Sequence, residues 1–133
     1  MDESKIDVMH LTKEQTIYLH RKLWNTIADK ILEFGRPVEK WEVFWILEWP
    51  KILANCWCCE YGKQQYSIDY IRPCIHCPIK WSDKNKGCLS YGSPYDEWNT
   101  KMMMWSKRKD FSKTEIKELS DLARQIANLP EKR

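Results

Sequence analysis

Apolar residues recur along residues 13–34 in a seven-residue rhythm, Ile17, Trp24 and Ile31, interleaved with His20, Ile27 and Phe34. Leu23 and Ala28 widen the stripe, and polar side chains fill the other face. That period predicts an amphipathic helix. Thr12-Lys13-Glu14-Gln15 supplies a capping box at its start, and Gly35 followed by Pro37 closes it. A second, shorter helix is expected over 39–48, stopped by Pro50. Its apolar residues run most of the way round, which implies contact on more than one side.

The helical period disappears between Asn55 and Gly92. Only Tyr66-Ser67-Ile68-Asp69-Tyr70-Ile71 alternates in the manner of a short strand. Ser93-Pro94 then reads as an N-cap and first-turn proline, with Asp96 and Glu97 near the positive end of the helix dipole. A helix over 94–107 follows, with Trp98, Met102 and Trp105 on one face. Ser112-Lys113-Thr114-Glu115 is another capping box, opening a helix over 113–128 with the stripe Ile116, Leu119, Ala123 and Ile126. The expectation is a mainly α, single domain over 1–133. About four helices surround an irregular middle, residues 55–92, with at most one or two short strands.

Composition changes this picture in two ways. Eight Trp in 133 residues make aromatic burial a large share of the apolar driving force. The six cysteines fall between Cys56 and Cys88, in the stretch with least core material of its own. The polar start, Met1 to Lys5, has no apolar run behind it and is not a secretory signal. Val43 to Leu47, the longest apolar stretch, is too short to span a bilayer. A soluble cytosolic protein is expected, where clustered cysteines indicate metal or redox chemistry rather than disulfides.

Cys56/Cys59 and Cys74/Cys77 are two C-x-x-C pairs separated by fourteen residues, with Cys88 beyond them. Two residues between thiolates let one tight turn aim both sulfurs at a single ion, and two such turns complete a tetrahedron. A structural zinc held by four of Cys56, Cys59, Cys74, Cys77 and Cys88 is the reading this spacing supports. Cys58 cannot easily share a turn with both neighbours and is the first to be left out; His76 sits between two ligands. Cys74-Ile75-His76-Cys77 also matches a thioredoxin-type C-x-x-C, but Pro78 follows at once and no βαβ pattern surrounds it. A zinc deaminase would need H-x-E, and none of the three histidines is followed that way. His20 lies on the first helix's apolar stripe, the place of a packed core histidine. No H-E-x-x-H, G-x-S-x-G or Walker loop occurs, so catalysis is not expected.

Charge is uneven. Residues 1–60 carry 8 basic and 10 acidic side chains, and residues 61–109 carry 9 and 4. Basic and aromatic residues interleave in this middle, as in surfaces that hold bases and phosphates. Lys80, Trp81, Lys84, Lys86, Tyr91 and Arg108 are the candidate partner-binding residues. Trp98 and Trp105, at helical spacing, belong to the core instead.

Cys56-x-x-Cys59-Glu60-Tyr61, then Cys74-x-x-Cys77-Pro78-Ile79-x-Trp81 and Cys88, resembles small cysteine-rich proteins encoded by bacteriophages of Gram-positive hosts. Tyr95-x-x-Trp98 and the segment Ala123 to Pro130 are similar to the same family's ending. The resemblance covers about residues 11–130. It implies a phage accessory protein acting in the cytoplasm of the infected cell, non-enzymatic and blocking a host factor. That factor would be a defence protein or a nucleotide immune signal. A zinc-ribbon-like regulator that binds nucleic acid, or a C-x-x-C thiol oxidoreductase, are the alternatives.

Overall fold

The computed structural model describes residues 1–65, 77–81, 88 and 92–132. Among these the fold is mainly helical, with five α-helices. They are α1 (Lys13–Phe34), α2 (Lys40–Ile46), α3 (Trp57–Gln65), α4 (Pro94–Trp105) and α5 (Lys113–Ala127). The strand expected over 66–71 lies outside the described residues. No helix among the described residues is long and apolar enough to cross a membrane.

The ends of α1 form as the sequence dictates. Thr12 Oγ1 accepts from Gln15 N at 3.1 Å, and Gln15 Oε1 accepts from Thr12 N at 3.1 Å. Gly35 takes φ +66°, which a Cβ would disfavour, and its N–H reaches Ile31 O at 2.9 Å. Ser93 and Ser112 cap α4 and α5 through Asp96 N and Glu115 N, each at 3.1 Å. Such caps are worth about 1 kcal/mol each.

Packing is organised on α1. Leu23, Trp24, Ile27 and Ile31 are buried, as are Ile116, Leu119, Ala123 and Ile126 of α5. The two helices are tied by polar bonds: Ser120 Oγ to Ala28 O at 3.0 Å, and Arg124 to Asn25 Oδ1 at 3.0 Å and to Asp29. Trp24 also meets Trp98 of α4 edge-on, with centroids 4.9 Å apart. On the other side, Trp57 of α3 stacks on Phe44 of α2 at 5.5 Å and meets Trp49 at 5.2 Å. The strip Cys77–Trp81 is pinned to the C-terminal tail. Lys80 N donates to Pro130 O and Lys132 N to Pro78 O, both at 2.8 Å, around the isolated bridge Ile79–Glu131.

Three differences from expectation have physical causes. Phe34, placed on the core stripe by its period, is 43% exposed because it is the last residue of α1, where Lys30 and Arg36 lie over its ring in place of the core. Helix α3 occupies a stretch where no helix is expected. Its buried residues, Trp57, Cys58, Glu60 and Gly62, follow no apolar stripe. The helix is held by its N-terminal packing and by polar pairs such as Gln64 Nε2 to Glu60 Oε1 at 3.3 Å.

The third difference is in α2, which stops at Ile46 in a tight reversal. Trp49 N donates to Phe44 O at 2.8 Å and Glu48 N to Trp45 O at 3.2 Å, while Trp49 packs on Phe44 with centroids 5.1 Å apart. This is a Schellman motif with its hydrophobic contact, whose left-handed position normally holds glycine. Here Glu48 occupies it, at φ +56°. Glu48→Gly is therefore expected to raise stability by about 0.5–1 kcal/mol, the left-handed penalty less the extra chain entropy of glycine. The urea midpoint should rise with an unchanged slope; a fall would show that the carboxylate makes a stabilising contact.

Candidate functional site

The cysteine cluster is assembled at the start of α3. Cys56 precedes the helix, and its carbonyl accepts the first helical bond from Glu60 N at 3.0 Å. Its sulfur receives hydrogen bonds from the Cys58 thiol first, then from the Cys59 thiol, with the Cys59 backbone N–H adding to them. Together with the Lys40 ammonium nearby, they hold the Cys56 thiol well below the usual thiol range. The first C-x-x-C thus spans the cap and first turn of a helix, where amide N–H groups point at the sulfurs.

Lys40 reaches the same place from α2. Its Nζ donates to Tyr95 Oη at 2.9 Å and to Ala54 O at 3.1 Å, and its ammonium lies over the Tyr95 ring at 5.1 Å. Burial raises the Tyr95 phenol above its usual range, opposed by the Lys40 ammonium and reinforced by Cys88 and Cys56. The Cys88 carbonyl accepts from Ser93 Oγ at 2.6 Å.

Cys58, left out of the expected ligand set, stands at the centre of the cluster. It is fully buried, and burial pushes its thiol well above the usual range. Its thiol lies between two neighbours: the Cys58 hydrogen bond is also the main cause lowering Cys77. Trp81 Nε1–H donates to Cys77 Sγ at 3.1 Å and lowers it further. His20 of α1 completes the wall. Only 2% exposed, it keeps Nε2 on Ile126 O at 3.0 Å and places Nδ1 3.7 Å from Cys58 Sγ. Burial lowers the imidazole's pKa, so the ring is neutral at neutral pH. Trp81 closes edge-on against it, with centroids 5.3 Å apart.

Cys56, Cys58 and Cys77 are in no disulfide. Among the described residues, no three His, Cys, Asp or Glu side chains are closed around one point as metal ligands. Cys74 and His76 lie outside the described residues. Cys56 and Cys77 are both drawn toward the thiolate, the form in which cysteine binds soft cations.

Of the expected partner-binding residues, Lys80, Trp81 and Arg108 are among the described residues. Trp81 is 3% exposed, with its N–H on Cys77 and its ring against His20 and Tyr95. Lys80 is half-buried. Lys84, Lys86 and Tyr91 lie outside the described residues. Arg108 packs over Trp105 and Phe111 and forks onto Glu115, with nitrogen–oxygen distances of 2.6 and 2.9 Å. The residues missed by sequence reasoning are Cys58 and His20. Their signal is the place of His20 on the core stripe of α1, facing whatever element covers it.

The Arg108 fork, with the Ser112 amide, depresses the Glu115 carboxyl to about 2. A group with a lowered folded pKa stabilises fully above its unfolded value, here 4.5, and the contribution is lost as pH falls toward 2. An NMR titration should find Glu115 titrating near the bottom of the carboxylate range. Arg108→Ala should move it upward and flatten the acid limb of the stability curve.

In comparisons with known proteins, no family model, no curated protein and no solved structure matches the chain.

Proposed function

We propose that the chain is a zinc-stabilised, non-catalytic accessory protein of a bacteriophage that binds and blocks a host protein in the cytoplasm of the infected cell. The observation that carries the binding part is the outward face of α2. Trp41 and Trp45, one turn apart, are 59% and 80% exposed, while Trp24, Trp57, Trp81 and Trp98 are buried. Helical residues at i and i+4 share a face, so the two indoles form one exposed apolar ridge, with Ile46 beside it. The apolar residues running round α2 call for cover on two sides. Val43 and Phe44 are covered by this chain, and a partner covers the other side. Exposed tryptophans are the side chains most enriched in binding hot spots.

A protein partner suits this ridge better than a nucleotide or nucleic acid. The charges beside it are compensated within the chain: Arg36 pairs with Glu42 at 2.9 Å, and Lys30 with Glu33 at 2.8 Å. Of the basic residues further along, Lys101 pairs with Glu118 at 3.1 Å and Arg108 with Glu115. Phosphate recognition needs cations free to displace counterions. The phage assignment rests on the resemblance of the cysteine strings.

Zinc is the second part of the reading. Four of Cys56, Cys59, Cys74, Cys77 and Cys88 would hold it as thiolates, and a closed tetrahedral site would fix residues 55–92 with no open position for a substrate.

Two measurements test the proposal. Protein purified from infected cells should carry one zinc per chain by native mass spectrometry, and chelation should lower its melting temperature; metal-free protein of equal stability removes the zinc part. The immobilised chain should retain one host protein stoichiometrically. Trp41→Ala and Trp45→Ala should each weaken that complex by about 2 kcal/mol, roughly 30-fold, without altering the helical circular dichroism. A complex unaffected by both substitutions would show that α2 is not the interface.

A further inference from the structure

We propose that the pocket at the end of α2, walled by Phe44, Trp45, Ile46 and Trp49 and edged by Glu48, receives an arginine side chain of the partner protein. Its volume of about 450 Å³ has room for a guanidinium and the methylenes behind it. The inference rests on the reading of α2 as the interface and names what the partner brings to it.

Three observations carry it. The first is the carboxylate. Glu48 stands at φ +56°, where glycine is favoured, and its side chain is exposed, with no hydrogen bond or ion pair among the described residues. Lys51, three positions on and also exposed, does not pair with it. A strained position kept for a side chain that bonds nothing within the chain points to a use outside it. The second is the wall. Trp49 is held on three sides: Nε1 donates to Glu3 Oε1 at 3.2 Å, and the ring meets Phe44 and Trp57 edge-on at 5.1 and 5.2 Å. The Glu3 charge behind it is paired with Lys22. Trp45, 80% exposed, is the open wall, and among the described residues no cation of this chain lies over either indole. Indole faces attract cations, and a carboxylate at the rim selects the same sign.

The third is that the same chain contains the arrangement in its filled form. Arg108 lies over Trp105 at 5.5 Å and Phe111 at 4.9 Å, and forks onto Glu115 at 2.6 and 2.9 Å. The parts there are aromatic rings and one carboxylate, closed by a guanidinium from three residues beyond Trp105. At the end of α2 the rings and the carboxylate stand ready, and the guanidinium is left to the partner. Arginine suits the pocket better than lysine does. Its planar group stacks on an indole while its fork of N–H donors meets a carboxylate, and it gives up water more easily than an ammonium. An apolar anchor in the same place would draw water away from Glu48 and offer it nothing in return.

Titration of the full chain with N-acetyl-arginine methylamide, followed by the indole N–H signals of Trp45 and Trp49, tests the pocket without the partner. A saturable shift of both signals is expected, and its loss in Glu48→Gln. The citrulline analogue, which keeps the shape and lacks the charge, should shift neither. No response to the arginine probe, or an equal response to citrulline, would overturn the inference and leave α2 standing as an interface. In the complex with the retained host protein, Glu48→Gln should weaken binding about tenfold, as loss of a charge-assisted pair does. Glu48→Gly should weaken it equally while raising the stability of the free chain, opposite effects that a merely structural role would not produce. If Trp41→Ala weakens the complex and Glu48→Gln does not, the arginine is removed and the interface stands. If neither substitution matters, both readings fall.

Discussion

The apolar face of α1 has to be covered along its whole length, and the rest of the structure follows from that requirement. At 22 residues the helix runs about 33 Å, longer than any single partner in so short a chain. α5, at 15 residues, covers one side and is registered by Ser120 on Ala28 O and Arg124 on Asn25 and Asp29. The remainder falls to α3, to α2 and to Trp98 of α4, which reaches Trp24. Because these pieces are short, they bring aromatic rings rather than long stripes. A few indoles remove as much apolar area as many aliphatic side chains would.

This arrangement also explains why polar chemistry sits at the centre of the molecule. His20 lies on the buried face of α1, midway between α5 and α3. One ring nitrogen is satisfied by the end of α5 at Ile126, and the other meets the start of α3 at Cys58. A buried imidazole with both nitrogens engaged fixes the relative placement of three elements, whereas an apolar residue there would fix none. The sulfur cluster then inherits its surroundings from the same packing. Trp81 arrives on a strip pinned to the C-terminal tail, and Lys40 arrives from α2 and is held by Tyr95. Trp81 brings an N–H to the Cys77 sulfur, and Lys40 brings a positive charge near Cys56.

The outer surface carries the opposite imbalance. α2 packs through Val43 and Phe44 and leaves two indoles in water on a seven-residue helix. Its end is secured by a left-handed glutamate rather than a glycine, a local cost that packing of Trp49 on Phe44 offsets. Contiguous exposed apolar surface of this kind is where soluble proteins meet partners. The core and the ridge are thus two uses of one residue type, separated only by which side of α2 a tryptophan occupies.

Periodicity determined most of the helices, because the relevant physics is local: caps at Thr12, Ser93 and Ser112, the glycine at 35, and stripes that bury where they point. It determined the residues that form the core of α1, α4 and α5 and the presence of a clustered thiol segment. It could not find α3, since Trp57, Cys58, Glu60 and Gly62 are buried by neighbours rather than by a repeating pattern. It also could not separate Trp81 from Trp45. Both are tryptophans in mixed surroundings, and only the pinned strip at 77–81 and the uncovered face of α2 distinguish the buried one from the exposed one. Spacing along the chain likewise favoured Cys59 over Cys58. The structure put Cys58 beside His20, 38 positions away in sequence, because contacts across helices depend on which faces meet and not on how many residues lie between them.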